Sequence, residues 1–423
     1  MGIIRHVKGK DFQLPDRNVL SSNSDVQQSV AHIIKNVIVQ GDQALRDYTE
    51  KFDRVKLGDI RVPKEAIQKS GENLKSEDRS VMEAATANIR RFHQKQVNKT
   101  WKETYKDGTE LGQIVHPIDR VGIYIPGGRA VYPSSLIMNA VPAQIAGVPS
   151  IAVVSPPQEN GLPHELTLGA CALLGLDEVY AVGGAHSVAA LAYGTDTIAP
   201  VFKITGPGNE YVAEAKRQVF GQVGIDSIAG PSEILILHDD PQTPAEYIVR
   251  DMLSQAEHDP KAQSVLITTS EDIARKVADR LEEIVPQLPR KEIITESLEN
   301  KGMIVLVDQI EEGIEIANQI APEHLELLVK DESVISQIRN AGAIFVGQWS
   351  PEPAGDYFAG PNHILPTNGA AKYASALSVQ DFQKHSSFIR YSKERIQKQG
   401  PMIAHFAELE ELYAHAEAIK ARF

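Results

Sequence analysis

Short runs of consecutive apolar, β-rich residues punctuate the middle of the chain: Val121–Ile125, Ile151–Val154, Glu178–Val182, Val201–Ile204, Glu233–Leu237, Ser264–Thr268, Met303–Val307, Leu325–Val329 and Ala343–Val346. Between them, segments such as Asn209–Phe220, Ala245–His258 and Ile273–Ile284 space their apolar residues at helical intervals. Continuously apolar strands alternating with helices predict a parallel sheet covered on both faces, hence an α/β architecture. The ends differ. Val26–Lys51 and Pro63–Lys95 read as helical throughout, and Glu394–Arg422 reads as helical with Pro401 breaking it. The most apolar stretch, Leu136–Val154, is interrupted by Asn139, Pro142, Gln144 and Pro149 and predicts a helix, a turn and a buried strand, not a membrane span.

With 423 residues the chain is long enough for two domains plus attachments. Its 42% hydrophobic and 23% charged residues are the balance of a globular protein. A net charge of -13 argues against nucleic-acid or anionic-membrane partners, which need a basic surface. The single cysteine, Cys171, lies in an apolar run and reads as a small buried hydrophobe. That count and a polar start without an apolar leader predict a cytoplasmic location.

Motif by motif, the chemistry is ambiguous. No G-x-G-x-x-G follows any predicted strand. Two other glycine turns do follow strands: Tyr124-Ile125-Pro126-Gly127-Gly128 and Gly206-Pro207-Gly208-Asn209, the latter opening a helix. Such turns suit close backbone approach to a ligand and suit plain turn geometry equally, and Asn209 suits a helix cap as well as a ligand contact. Gln255 and His258, three apart at a helix end, share a face. Histidine is a common zinc ligand and glutamine an unusual one. Glu323-His324 precedes a strand and pairs two groups able to divide acid–base work, or a solvated loop pair. The stretch Gly355–His363 is dense in Gly and Pro, with Asp356 and His363 embedded, and reads as a functional loop. Glu410 and His415 lie five apart on a predicted helix, not quite on one face.

Taken together these segments resemble the histidinol dehydrogenase family. The resemblance runs through Arg120–Gly128, Lys203–Asn209, Ile225–Glu233, Leu253–His258, Ala321–His324, Gly355–Tyr357, Gly360–His363 and Ala414–Ala416, in order, over nearly the whole chain. It implies that Gln255, His258, Asp356 and His415 hold one zinc ion per subunit and that Glu323 and His324 are the catalytic acid–base pair. It implies that Ser232, His363 and Glu410 join Gln255, His258, His324, Asp356 and His415 around the substrate, and that Tyr124, His186 and Asn209 face NAD. At position 186 the family pattern leads one to expect glutamine, and Pro353, Ala370, Ala376 and Glu411 also depart from it. The implied fold is two incomplete Rossmann-like domains, one inserted in the other, with helical N- and C-terminal extensions. The extension is residues 1–21, the main domain 22–123 with 234–377, and the inserted NAD-binding domain 124–233. A tail, 378–423, completes the partner's site in a homodimer. The implied reaction is the four-electron oxidation of L-histidinol through L-histidinaldehyde to L-histidine. The rival readings are a sulfopropanediol-type alcohol dehydrogenase on the same scaffold and a binding homologue without catalysis.

Overall fold

The structure, a computed structural model, describes residues 2–14, 24–127, 131–228 and 230–423. Gly128, Ala229 and residues 15–21 of the expected N-terminal extension lie outside them.

The apolar runs form two parallel sheets. In the first, strands Val179–Tyr180, Ser150–Val154, Arg120–Tyr124, Lys203–Thr205 and Gly224–Ile225 lie side by side. Numbered along the chain their order is 3-2-1-4-5, a Rossmann-type sheet short of its sixth strand. In the second, Arg5–Lys8, Met303–Leu306, Gln263–Thr268, Glu233–His238, His324–Leu328 and Ala343–Val346 are neighbours in that sequence. Setting aside the N-terminal edge strand, this sheet repeats the 3-2-1-4-5 order. The α/β class and the paired incomplete Rossmann-like sheets therefore match expectation.

Side chains alternate across a strand, so each buried strand feeds two cores. In the second sheet Ile234, Ile236, Leu266, Ile304 and Leu328 pack on helix Ala245–Ala256 and helix Glu271–Ile284. Leu235, Leu237, Ile267, Val305, Leu325 and Leu327 pack on helix Ile310–Ile320 from the other side. Core membership divides the chain differently from the expected domain boundaries. Helices Ser24–Gln40, Asp42–Asp53, Lys64–Asn73 and Ser76–His93 bury Val30, Leu45, Ile67 and Ile89 in the core of the first sheet, not the second.

Both extensions also differ from the helical expectation. Residues Arg5–Lys8 form the edge strand of the second sheet, paired with Met303–Leu306. The tail begins as strand Gln383–Arg390, antiparallel to Glu110–Pro117, which in turn pairs with Trp101–Thr104. Pro401 does not break its helix. It sits inside Lys393–Leu409, where the carbonyl it leaves without a partner belongs to exposed Gln397 and is open to water. The chain turns instead at Glu410–Leu412, where Glu411 takes a φ of 59°. Leu136–Val154 is a helix end, a turn and a strand as anticipated, and among the described residues no helix is long and apolar enough to cross a membrane. Cys171 is fully buried, which pushes its thiol up to about 12 and makes it inert.

Candidate active site

The site assembles on one face of the second sheet. His324 opens strand His324–Leu328, and Glu326, two residues on, points the same way. That face is covered by helix Ala245–Ala256, on which Asp251 and Gln255, four apart, share a side. A third wall comes from Glu352–Ala354 and the π-helical turn Gly355–Ala359, which carries Asp356. The predicted loop is thus a wound turn, a form frequent at functional sites. It can lie this close to the sheet because residue 355 is glycine: a Cβ there would meet the Phe345 ring at 2.6 Å.

Glu323 and His324 are both fixed by the backbone of one residue. The Glu233 N–H donates to Glu323 Oε2 at 2.9 Å, and His324 Nδ1 donates to the Glu233 carbonyl at 2.9 Å. With Nδ1 so committed, a neutral His324 keeps its lone pair on Nε2. That atom lies 3.6 Å from Asp356 Oδ1 and 3.9 Å from Glu352 Oε1, with no hydrogen-bond partner. Burial pushes the Glu323 carboxyl up to about 7, against the pull of His324. For His324, burial works downward but is outweighed by Glu323, Asp356 and Glu352, which raise it to about 10. Behind this pair sits a nest of carboxyls. Burial lifts Glu352 to about 8 with help from Asp356, and Glu326 to about 9 with help from Asp251. Glu326 Oε1 accepts the Glu352 N–H at 2.8 Å, and Ser254 Oγ donates to Glu352 Oε2 at 3.3 Å.

His363 is held by both nitrogens, Nδ1 to the Asp356 carbonyl at 2.8 Å and Nε2 to Ser135 Oγ at 3.3 Å. Burial lowers its pKa and keeps the ring neutral, against the pull of Asp356. His258 stands at the rim. Desolvation lowers its pKa too, while Asp356 lies near enough to raise it and His324 near enough to lower it. Gln255 is buried, with Oε1 lacking a hydrogen-bond partner. Ser232 is half-buried just before strand Glu233–His238, its carbonyl accepting the Gln263 N–H at 3.0 Å.

These residues fit a divalent transition metal. His324, Glu352 and Asp356 offer donor atoms all within 4.8 Å of one another, and Gln255 Oε1 is a buried polar atom that needs a partner. The compact trio shares only Asp356 with the expected ligand set. Glu352 gave no signal in sequence. Glu326 did, as a lone charge inside an apolar strand on the same face as His324.

Other expected residues lie apart. Glu410 and His415 are exposed on the tail, and among the described residues no hydrogen bond or ion pair links them to this cluster. Tyr124 ends the central strand of the first sheet, its hydroxyl accepting the Gly184 N–H at 3.4 Å. Asn209 caps helix Glu210–Val219, its Oδ1 accepting from the N–H groups of Tyr211 and Val212 at 3.1 Å each. His186 is 1% exposed, packed beside Tyr48 and Phe52 with Nε2 at 3.3 Å from Thr49 Oγ1.

A family model described as histidinol dehydrogenase matches residues 17–423. The chain belongs to the histidinol dehydrogenase family. It is 49% identical to a histidinol dehydrogenase of Geobacillus kaustophilus (strain HTA426) over 407 residues, covering 96% of each chain. It is 47% identical to one of Bacillus subtilis (strain 168) over 420 residues, covering 99% of this chain and 98% of that one. The crystal structure of the histidinol dehydrogenase of Elizabethkingia anophelis superposes with a TM-score of 0.93 at 36% identity, covering 100% of this chain and 98% of that one.

Proposed function

We propose that the chain oxidises L-histidinol through L-histidinaldehyde to L-histidine, using two NAD and one water, as the last steps of histidine synthesis. The observation that carries this reading is the pinning of Glu323 and His324 by Glu233, which leaves His324 Nε2 unpartnered beside Asp356. Zinc would be held by Gln255, His258, Asp356 and His415 of the partner subunit. Bound there, zinc would polarise and orient the amino alcohol, and NAD would supply the hydride acceptor.

His324 accepts the alcohol proton at Nε2 in its neutral form, which a divalent cation held by Asp356 would favour by offsetting the carboxylates that otherwise keep the ring protonated. Glu323, held by the Glu233 N–H and with a pKa near neutrality, deprotonates the water that adds to the aldehyde, and His324 accepts a proton again. Ser232, His363 and Glu410 of the partner subunit hold the substrate. Tyr124 and Asn209, at the carboxyl ends of the first sheet, would hold NAD.

Homodimerisation is supported by the tail. Met402, Phe406, Leu409 and Tyr413 are 64%, 65%, 67% and 64% exposed, an apolar face unsuited to open solvent. A second subunit covering it would bring Glu410 and His415 to a site they do not reach within one chain.

The direct test follows NADH absorbance on adding L-histidinol to zinc-loaded protein. Two NADH per histidinol are expected, with faster turnover than on a sulfonated diol. Absence of NADH from fully metallated protein, or a preference for the diol, sinks the assignment.

A further inference from the structure

The turn Gly206-Pro207-Gly208-Asn209 leaves strand Lys203–Thr205, whose neighbour Arg120–Tyr124 is the first strand of that sheet in chain order. The strand order reverses between these two, and ligands enter sheets of this kind at the carboxyl ends flanking the reversal. The turn has an unusual backbone. Gly206 has a φ of 115°, and a Cβ there would sit 2.1 Å from the Tyr124 carbonyl oxygen.

Two buried charges hold this conformation from outside the turn. The Gly206 N–H donates to Asp226 Oδ2 at 2.8 Å, and Lys216 Nζ donates to the Gly206 carbonyl at 3.0 Å. The two side chains also pair with each other, and they are 2% and 4% exposed. The other bond to Asp226 Oδ1 comes from the Ser227 N–H at 2.7 Å. Lys216 lies on the helix that Asn209 caps, so the helix that starts at the turn sends its lysine back to it.

For stability alone a buried ion pair is a poor device, since an apolar pair of similar volume serves as well or better. What an apolar pair cannot do is bond both polar groups of one residue. We propose that Lys216 and Asp226 are positioning residues that lock the Gly206 backbone, and with it the glycine turn, in the form that binds NAD. A preformed turn spares NAD the cost of ordering it. This rests on the reading that NAD binds at the turn.

The test compares wild type, K216M, D226N and the double variant K216M/D226L. The measurements are NAD binding by calorimetry, thermal unfolding, and KM against kcat. Both single variants lose stability by stranding a buried charge. The double variant recovers stability but still binds NAD at least tenfold more weakly, with KM for NAD raised in step and kcat at saturating NAD within about twofold, tenfold being about 1.4 kcal/mol. A stable double variant with wild-type NAD affinity overturns the proposal, because the pair would then be structural only. Amide exchange of Gly206 in unmodified, NAD-free protein gives a second reading that needs no variant. Strong protection is expected, and exchange at the rate of an open loop overturns the lock. Wild-type protein that binds no NAD while Gly206 is protected instead overturns the cofactor reading on which the proposal rests.

Discussion

Replacing His186 with glutamine, the residue the family pattern favours, should change how stability depends on pH. The ring is sealed between helix Asp42–Asp53 and helix Gly184–Tyr193, with Nδ1 lacking a partner and no carboxylate among its contacts. Burial alone lowers its pKa from 6.5 to about 3. The unfolded chain therefore takes up the proton first as pH falls. The stability that depends on a neutral ring is whole above pH 6.5 and drains away toward pH 3. Linkage gives a loss of about 2 kcal/mol between pH 7.5 and pH 5, nearing about 1.4 kcal/mol per pH unit below that. Glutamine can still reach Thr49 but does not titrate. Urea unfolding of both proteins at pH 7.5, 6 and 5 reads the effect, because Asp53, which burial raises to about 6, is common to both and cancels. Wild type should lose about 2 kcal/mol more than H186Q by pH 5. Parallel pH curves for the two proteins would refute the placement of the ring in a dry, unpaired environment.

Two further outcomes bear on the proposed chemistry. H324N should lower kcat by roughly 10²–10⁴-fold while zinc content, measured by atomic absorption, stays at the wild-type level; unchanged turnover would remove His324 as the base. Subunits carrying H258N and subunits carrying H415N should each be inactive alone, and mixing them after mild unfolding should restore about a quarter of wild-type activity if each site takes His415 from the partner. No recovery on mixing would mean that sites are not shared.

Much of the scaffold was legible because its strands are buried on both faces. Runs such as Glu233–Leu237 and Ser264–Thr268 show continuous apolar character that few other elements share. The strands of the third sheet were not legible for the opposite reason. Trp101–Thr104 and Gln383–Arg390 are mostly exposed, so no alternation marks them, and the latter pairs with Glu110–Pro117 across more than 250 positions. Glu323 and His324 were readable as a pair, yet their anchor Glu233 lies 90 and 91 residues away and only sheet register reveals it. Glu352 sits between two prolines, a context that announces a turn and nothing about a carboxyl facing an imidazole. The surroundings of position 186 were not legible, because a resemblance transfers a location, whereas the direction a ring faces depends on what it packs against, here Tyr48, Thr49 and Phe52 from a helix more than 130 positions earlier.

Glu323 and His324 lie where the strands of their sheet begin, while the glycine turn lies where the strands of the other sheet end. In an alternating chain those two edges carry opposite electrical polarity. At the beginning edge, helix Ile310–Ile320 has just run out before Glu323, and helix Ala245–Ala256 runs out between Gln255 and His258. Their carbonyl ends supply partial negative charge, worth about 0.3–1 kcal/mol each toward a cation. At the ending edge, helix Glu210–Val219 and helix Gly184–Tyr193 are just starting, and their N–H ends attract anions. One fold used twice thus offers one edge whose backbone favours a cation and another whose backbone favours an anion, before any side chain is chosen.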